Sequence, residues 1–202
     1  MKNLLVINGH PDPRPERFCS ALSSAYERGA GAGGWQTRRI DIGNLPLSSI
    51  EAMNRGGRPD VDILEMQADV EWANRLAIVF PLWFDEPPDA LCALFEHLGD
   101  PHGRRPAHVI VTMEMPAFAY RSMLRAGAPK NSATGLAIPG IVSEEPVLIG
   151  CVNTIDRNRR RGWLETVRDY GERTTLGTAR APSRSLVIAS MIDRTVMQWW
   201  HG

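Results

Sequence analysis

The chain has 202 residues, a length that suits a single domain with at most an appendage. Hydrophobic residues make up 43% and charged residues 23%, which are ordinary values for a soluble globular protein with an apolar core. Lys and Arg together number 23, and so do Asp and Glu. The net charge therefore gives no reason to expect a nucleic acid or an anionic membrane as a partner.

The chain start and the cysteines predict a cytoplasmic protein. Residues 1–8 are apolar over too short a stretch for a signal peptide, and no later run is long enough to span a bilayer. Cys19, Cys92 and Cys151 are odd in number and far apart, which is typical of reduced thiols rather than of a disulfide framework. The five histidines are scattered and form no HExxH motif, so no metal site is expected.

Short apolar runs, which predict β-strands, alternate with helical patterns up to about residue 175. Four of them have the continuous apolar character of strands in a parallel sheet that is buried on both faces. These four are Leu4–Ile7, Leu76–Pro81, Val109–Thr112 and Val147–Val152. A fifth run, Thr37–Ile42, is more polar and suits the edge of the sheet.

Between these runs, apolar residues recur at helix spacing and predict four helices. The stripes are Phe18/Leu22/Ala25, Ile63/Met66/Val70/Ala73, Leu91/Leu94/Phe95/Leu98 and Trp163/Val167/Tyr170. Strands that alternate with helices predict an α/β fold with right-handed crossovers. We expect one domain over residues 1–176, with an irregular insert at 116–144. Residues 177–202 are predicted to form a tail that docks on the domain or on a dimer mate.

In such a fold, ligands bind outside the carboxyl ends of the strands, near the point where the strand order reverses. The first segment at such an end is Asn8–Cys19, which leads into a predicted helix. The helix start, together with Arg14 and Arg17, favours binding of a phosphate. The segment matches neither GxGxxG nor GxxxxGK, so the usual NAD-binding and P-loop motifs are absent. A plain proline-rich connection between strand and helix remains the alternative.

Two further segments follow strands. The sequence FPLWFDEPPDAL, residues 80–91, carries two adjacent aromatics, and VTMEMPAFAYR, residues 111–121, carries a tyrosine. Taken singly, Trp83 and Phe84 are typical of a core, and Tyr120 is typical of a surface aromatic. Together, the three segments bring phosphate-binding, aromatic and hydroxyl groups to one edge, which suits a flat aromatic cofactor.

Seven stretches of the chain resemble the flavodoxin-like NAD(P)H:quinone oxidoreductases, including the bacterial modulator-of-drug-activity type. They are GHPDP (9–13), AYERGA (25–30), RRIDI (38–42), QADVEWAN (67–74), FPLW (80–83), VTMEMPAFAYR (111–121) and RGWLETVRDYG (161–171). As a set, in this order, they are specific to the family. The resemblance implies a flavodoxin-like three-layer αβα fold with a five-stranded parallel sheet in the order 2-1-3-4-5.

The resemblance also implies a flavin, FAD with FMN as the alternative, that passes two electrons from NAD(P)H to a quinone, in a homodimer. The phosphate and ribityl end would be held by His10, Arg17, Phe18 and Cys19. The ring would be lined by Pro81, Leu82, Trp83 and Phe84 on one side and by Thr112, Met113, Glu114 and Tyr120 on the other. Tyr120 is the predicted catalytic residue, because its hydroxyl could steady negative charge on the flavin or quinone oxygen.

The chain departs from the family pattern at two places in these loops. Asp85 and Glu86 follow the aromatic pair, and Glu114 stands where a glycine is usual. Asp85 and Glu114 favour an alternative in which the protein binds flavin weakly or not at all and acts as a binding or regulatory subunit. A nitro- or azoreductase, which differs only in the electron acceptor, is a further alternative. The arginine-rich run 157–161 is predicted to be a solvated turn before the last helix.

Overall fold

The computed structural model describes residues 1–46, 48–49, 61–83, 87–98, 105–125, 141–143 and 146–176. None of the helices in these ranges is both long and apolar enough to cross a membrane. Phe84, Asp85 and Glu86 lie outside the described residues, and so does the tail that begins at residue 177. Three expectations stay predictions: the homodimer, the domain boundary at residue 176 and the cytoplasmic location.

The described strands form one parallel sheet. Their bounds are Asn3–Asn8 (β1), Gln36–Asp41 (β2), Arg75–Leu82 (β3), Arg105–Met113 (β4), Ile141–Ser143 (β5) and Val147–Ile149 (β6). The order is β2-β1-β3-β4-β5, and β6 pairs with β4 farther along. Because β3 covers the other side of β4, β5 and β6 share one edge position. The predicted order 2-1-3-4-5 is confirmed.

The last strand differs from its prediction. The run Val147–Val152 was expected to be one strand, but β6 ends at Ile149 and β5 precedes it. Cys151 has a φ of 57°, in the left-handed region, and so the backbone has left the extended conformation there. The carboxyl end of this edge strand is therefore a turn.

Five α-helices and one 3₁₀ turn are described. The helices are Phe18–Ala32 (α1), Val61–Trp72 (α2), Asp89–Leu98 (α3), Ala117–Arg125 (α4) and Arg157–Glu172 (α5), and the 3₁₀ turn is Ile42–Asn44. The prediction of an irregular insert at 116–144 was wrong where α4 and β5 form. The arginine-rich run is the first turn of α5 rather than a turn before it. The helix begins there because the Asp156 carboxylate caps it, accepting the Arg159 N–H at 2.8 Å.

The sheet separates two apolar layers. Successive residues of a strand point to opposite faces, so Leu5 and Ile7 of β1 pack on one side and Leu4 and Val6 on the other. The first layer contains the apolar residues of α2, α3 and α4, and the second contains those of α1 and α5. Both faces of β1 and β3 are covered, which explains their continuous apolar sequence. The edge strand β2 is more exposed, as its polar residues predicted.

Helices α1 and α5 cross in close backbone contact, and glycines make the contact possible. A Cβ at Gly171 of α5 would lie 2.2 Å from the carbonyl oxygen of Tyr26 in α1. A Cβ at Gly29 of α1 would lie 1.9 Å from the carbonyl oxygen of Arg168 in α5. Both neighbours are main-chain atoms of a packed helix, so neither can move aside cheaply.

The crossing gives a matched test in one helix. We expect Gly171→Ala to lower the free energy of unfolding by about 2 kcal/mol, since the added methyl group overpacks the contact. Gly162 is also in α5, but a Cβ there meets no atom within 4 Å. Gly162→Ala should therefore raise the free energy of unfolding by about 0.5–1 kcal/mol through helix propensity. Urea denaturation of both variants measures the difference, and equal shifts would contradict the crossing.

Candidate functional site

The loops that follow β1, β3 and β4 meet at the carboxyl edge of the sheet. The strand order reverses between β1 and β3, since β2 lies outside β1 and β4 lies outside β3. Asn8, the last residue of β1, is in register with Val79, and Leu82 of β3 is in register with Met113 of β4. This edge is the position where open α/β sheets bind ligands.

The first loop is organised around Asp12. Its carboxylate accepts hydrogen bonds from Arg14 Nε at 2.9 Å and Nη2 at 2.6 Å, and from Arg17 Nε at 2.6 Å. The hydrogen bonds and charge of the two guanidinium groups hold the pKa of Asp12 far below its usual range. Arg17 immediately precedes α1, whose start has no side-chain cap and no acidic residue in its first turn. The first N–H groups of α1 are therefore open to an anion.

His10 connects this loop to the end of β3. Its Nδ1 lies 3.0 Å from the backbone N–H of Asp12, and its ring meets the Trp83 ring edge-on at 5.9 Å between centroids. Burial lowers the pKa of His10, and the charge of Arg17 lowers it further. Nδ1 also lies 3.1 Å from the Asp12 carbonyl oxygen, so the Asp12 main chain holds this ring nitrogen in either tautomer.

Cys19 is closed off from the loop, although it lies in the first turn of α1. Its thiol is 2% exposed and contacts Thr112 Oγ1 at 3.3 Å. Burial raises the pKa of Cys19 to about 11, and the hydrogen bond to Thr112 opposes this only in part. The side chain is a neutral thiol, so only its backbone N–H is available to a phosphate.

The predicted ring-lining residues divide into exposed and buried groups. Trp83 is 44% exposed, and Glu114 is exposed on the neighbouring loop. Buried side chains belong to Pro81, Leu82, Thr112, Met113 and Tyr120. Tyr120, the predicted catalytic residue, is 2% exposed and packs in the core layer of α2 and α3. Of the predicted ring-lining residues that are described, Trp83 is therefore the aromatic side chain that a flat ligand can reach.

A fourth loop, which follows β6, also reaches this edge and was missed from the sequence. The backbone N–H of Cys151 donates to the Met115 carbonyl at 3.2 Å, and the Asn153 side chain donates to the Glu114 carboxylate at 2.6 Å. The loop thus binds the third loop through both main chain and side chain. The one sequence signal for it was Gly150 next to Cys151, directly after an apolar run.

Arg160 links the fourth loop to the start of α1. Its Nη2 donates to the Val152 carbonyl at 2.8 Å, and its guanidinium carbon lies 5.1 Å from the centre of the Phe18 ring. Phe18 is the first residue of α1. A half-buried cation therefore stands beside the open helix start, in addition to the arginines of the first loop.

The edge as a whole combines an open helix start, nearby cations and an exposed indole. These groups fit a ligand that carries a phosphate at one end and a flat aromatic ring at the other. Within the described ranges, no three side chains of His, Cys, Asp or Glu group together as metal ligands. The arrangement matches the chemistry of a flavin nucleotide.

Comparisons with known proteins agree with this fold. A family model described as a flavodoxin-like fold matches residues 2–157. No curated protein matches the sequence. A provisionally assigned quinone reductase from Klebsiella pneumoniae superposes with a TM-score of 0.64 at 17% identity, over 84% of this chain and 83% of that one.

Two further structures are similar to the chain at low identity. The NAD(P)H:quinone oxidoreductase from Methanothermobacter marburgensis has a TM-score of 0.60 at 16% identity, over 85% of this chain and 98% of that one. An FMN-dependent NADH-azoreductase from Bacillus anthracis, in complex with FMN, has a TM-score of 0.52 at 14% identity, over 86% and 99%. At these identities the similarity shows the fold alone. The family model covers most of the chain, and the protein therefore belongs to the family with the flavodoxin-like fold, as its motifs predicted.

Proposed function

We propose that this protein is a flavin-dependent oxidoreductase that passes two electrons from NAD(P)H to a quinone or a similar electrophile. One observation carries the proposal. The carboxyl edge of the sheet places an uncapped α1 start, with Arg14 and Arg17 before it, on the same edge as the half-exposed Trp83 indole. Support also comes from the names of the similar structures, which are quinone reductases and an azoreductase.

We propose FMN as the flavin, in place of the FAD that the family resemblance suggested. The support is the similar azoreductase, which is FMN-dependent. FMN carries a single phosphate, and the start of α1 is suited to receive it.

The redox chemistry would be supplied by the flavin, as hydride acceptance from NAD(P)H followed by two-electron donation to the acceptor. The chain's own residues bind and orient. Arg17 and the first N–H groups of α1 attract the phosphate, and Trp83 offers an aromatic face. The Asp12 main chain holds Nδ1 of His10, and the imidazole ring packs edge-on against Trp83. Two substrates that use one face in turn give ping-pong kinetics.

The first test is flavin binding. We expect the protein to take up FMN in stoichiometric amount, seen as quenched flavin fluorescence and a shifted visible spectrum. Trp83→Ala should weaken binding about tenfold, since it removes the exposed aromatic face. Leu176→Ala is the control, because Leu176 is an exposed apolar residue, at 55%, that lies away from the site. The preceding carbonyl, of Thr175, accepts a hydrogen bond from Arg75 at the amino edge of the sheet. A wild-type protein that binds neither FMN nor FAD would contradict the proposal.

One observation favours the alternative of a binding or regulatory protein without flavin. Asp12 already occupies donors of both Arg14 and Arg17, which reduces the charge available to a phosphate. The flavin titration separates the two functions, because a regulatory protein of this kind would bind FMN weakly or not at all.

Tyr120 has its own test. We propose that its hydroxyl steadies negative charge in the reaction, which requires a ligand to reach it at the base of the loops, since it is 2% exposed. Tyr120→Phe keeps the packing and removes only the oxygen, so we expect kcat with a quinone to fall about tenfold. Thermal unfolding checks that the fold is kept. An unchanged kcat would make Tyr120 a core residue only.

Glu114 bears on the potential of a bound flavin. Reduction adds negative charge to the flavin, and a carboxylate nearby opposes it. Glu114→Gln removes the charge while keeping an acceptor for Asn153. Because the side chain is exposed and screened, we expect the midpoint potential to rise by only about 10–20 mV. Glu165→Gln, an exposed change of equal charge on α5, is the control. Equal potentials in all three proteins would place the Glu114 carboxylate away from the ring.

A further inference from the structure

Asp12 is the centre of a charged cluster in the first loop. Its carboxylate oxygens accept from Arg14 Nε at 2.9 and 3.0 Å, from Arg14 Nη2 at 2.6 Å and from Arg17 Nε at 2.6 Å. Arg17 Nη2 also contacts the same carboxylate. The Arg14 backbone N–H completes the set, at 3.1 Å from Oδ1. One acid thus engages donors of both guanidinium groups.

The cluster is fixed to the candidate site at two points. Arg17 is the residue before α1, so its backbone belongs to the open helix start. The backbone N–H of Asp12 reaches His10 Nδ1 at 3.0 Å, and the His10 ring packs against Trp83. A single residue therefore connects the cations to the side chain that we assign to the flavin ring.

The charges in the cluster do not cancel. The two arginines carry two positive charges and Asp12 carries one negative charge, so the three ion-paired residues have a net positive charge, which Glu16 opposes through space. An incoming phosphate needs N–H donors of the same kind that the carboxylate now uses. The two anions therefore compete for the N–H donors of Arg14 and Arg17, and a donor that bonds one anion is lost to the other.

We propose that Asp12 is a specificity-determining residue, an internal carboxylate that competes with the flavin phosphate for Arg14 and Arg17. It sets how strongly the site prefers a phosphorylated flavin to riboflavin, which has the same ring and no phosphate. This inference rests on the proposed flavin-dependent function. Asp12 lowers the affinity for FMN and leaves the affinity for riboflavin unchanged, because riboflavin makes no demand on the arginines.

The experiment compares FMN and riboflavin binding to the full chain by fluorescence titration. Asp12→Asn keeps an oxygen that can accept from the arginines but removes the charge. Exposed ion pairs contribute little each, so releasing two of them should tighten FMN binding about fivefold relative to riboflavin. The gain should shrink between about 50 and about 500 mM NaCl, because salt screens exposed charges.

Glu16→Gln is the matched control. Glu16 lies in the same loop and is exposed; it acts on Arg14 through space but forms no salt bridge among those described, so its substitution removes the same charge without freeing the arginine donors. A preference for FMN that rises more in Asp12→Asn than in Glu16→Gln supports the inference. An unchanged or reduced preference in Asp12→Asn, or an equal rise in both variants, overturns it while the flavin function stands. A wild-type chain that binds neither flavin overturns both.

Discussion

Beyond the end of β1, the backbone N–H of Gly9 donates a hydrogen bond to the Val79 carbonyl at 2.8 Å and keeps the chain on β3. A side chain has no room at this point. A Cβ on Gly9 would lie 2.8 Å from Leu91 Cδ2 and 2.9 Å from Phe80 Cβ. Because Gly9 has no Cβ, the first loop can pass close to β3 and α3, at the point where the strand order reverses. This close approach places His10 against Trp83 and brings the first loop to the end of β3.

A buried polar link holds the same edge from the side of β2. Asn8 is completely buried, and its side-chain amide donates to the Asp41 carboxylate at 2.7 Å. Asp41 also accepts from Arg39, whose guanidinium reaches Ser20 of α1 at 3.0 Å. A buried side-chain amide destabilises the fold unless it is hydrogen-bonded. These hydrogen bonds therefore restrain β1, β2 and α1 together. The start of α1 is thereby held in place before any ligand arrives, which lowers the cost of ordering it on binding.

The opposite edge of the sheet is closed by another polar cluster. The Tyr26 hydroxyl forms hydrogen bonds with His108 Nδ1 and with Thr174 Oγ1, the latter at 2.8 Å. All three side chains are buried. The Trp35 indole donates to the Thr174 carbonyl at 3.1 Å. Residues near the end of the described chain are therefore held by hydrogen bonds to Tyr26 and Trp35. The exposed Trp83 lies at the carboxyl edge instead. Among the described residues, the amino edge is packed and the carboxyl edge carries exposed side chains, as functional loops commonly do.

The sequence by itself determined the sheet and predicted a site at its carboxyl edge. Continuous apolar runs such as Leu76–Pro81 cannot be solvated on either face, so they dictate a parallel sheet covered by helices on both sides. The family motifs then supplied the strand order. The sequence did not determine the contacts between side chains. Glu114 and Asn153 are 39 residues apart, and Cys19 and Thr112 are 93 apart, so only the folded chain decides that these pairs meet. The pairing of Asp12 with both arginines was also decided there, since it depends on side-chain directions that no spacing rule fixes.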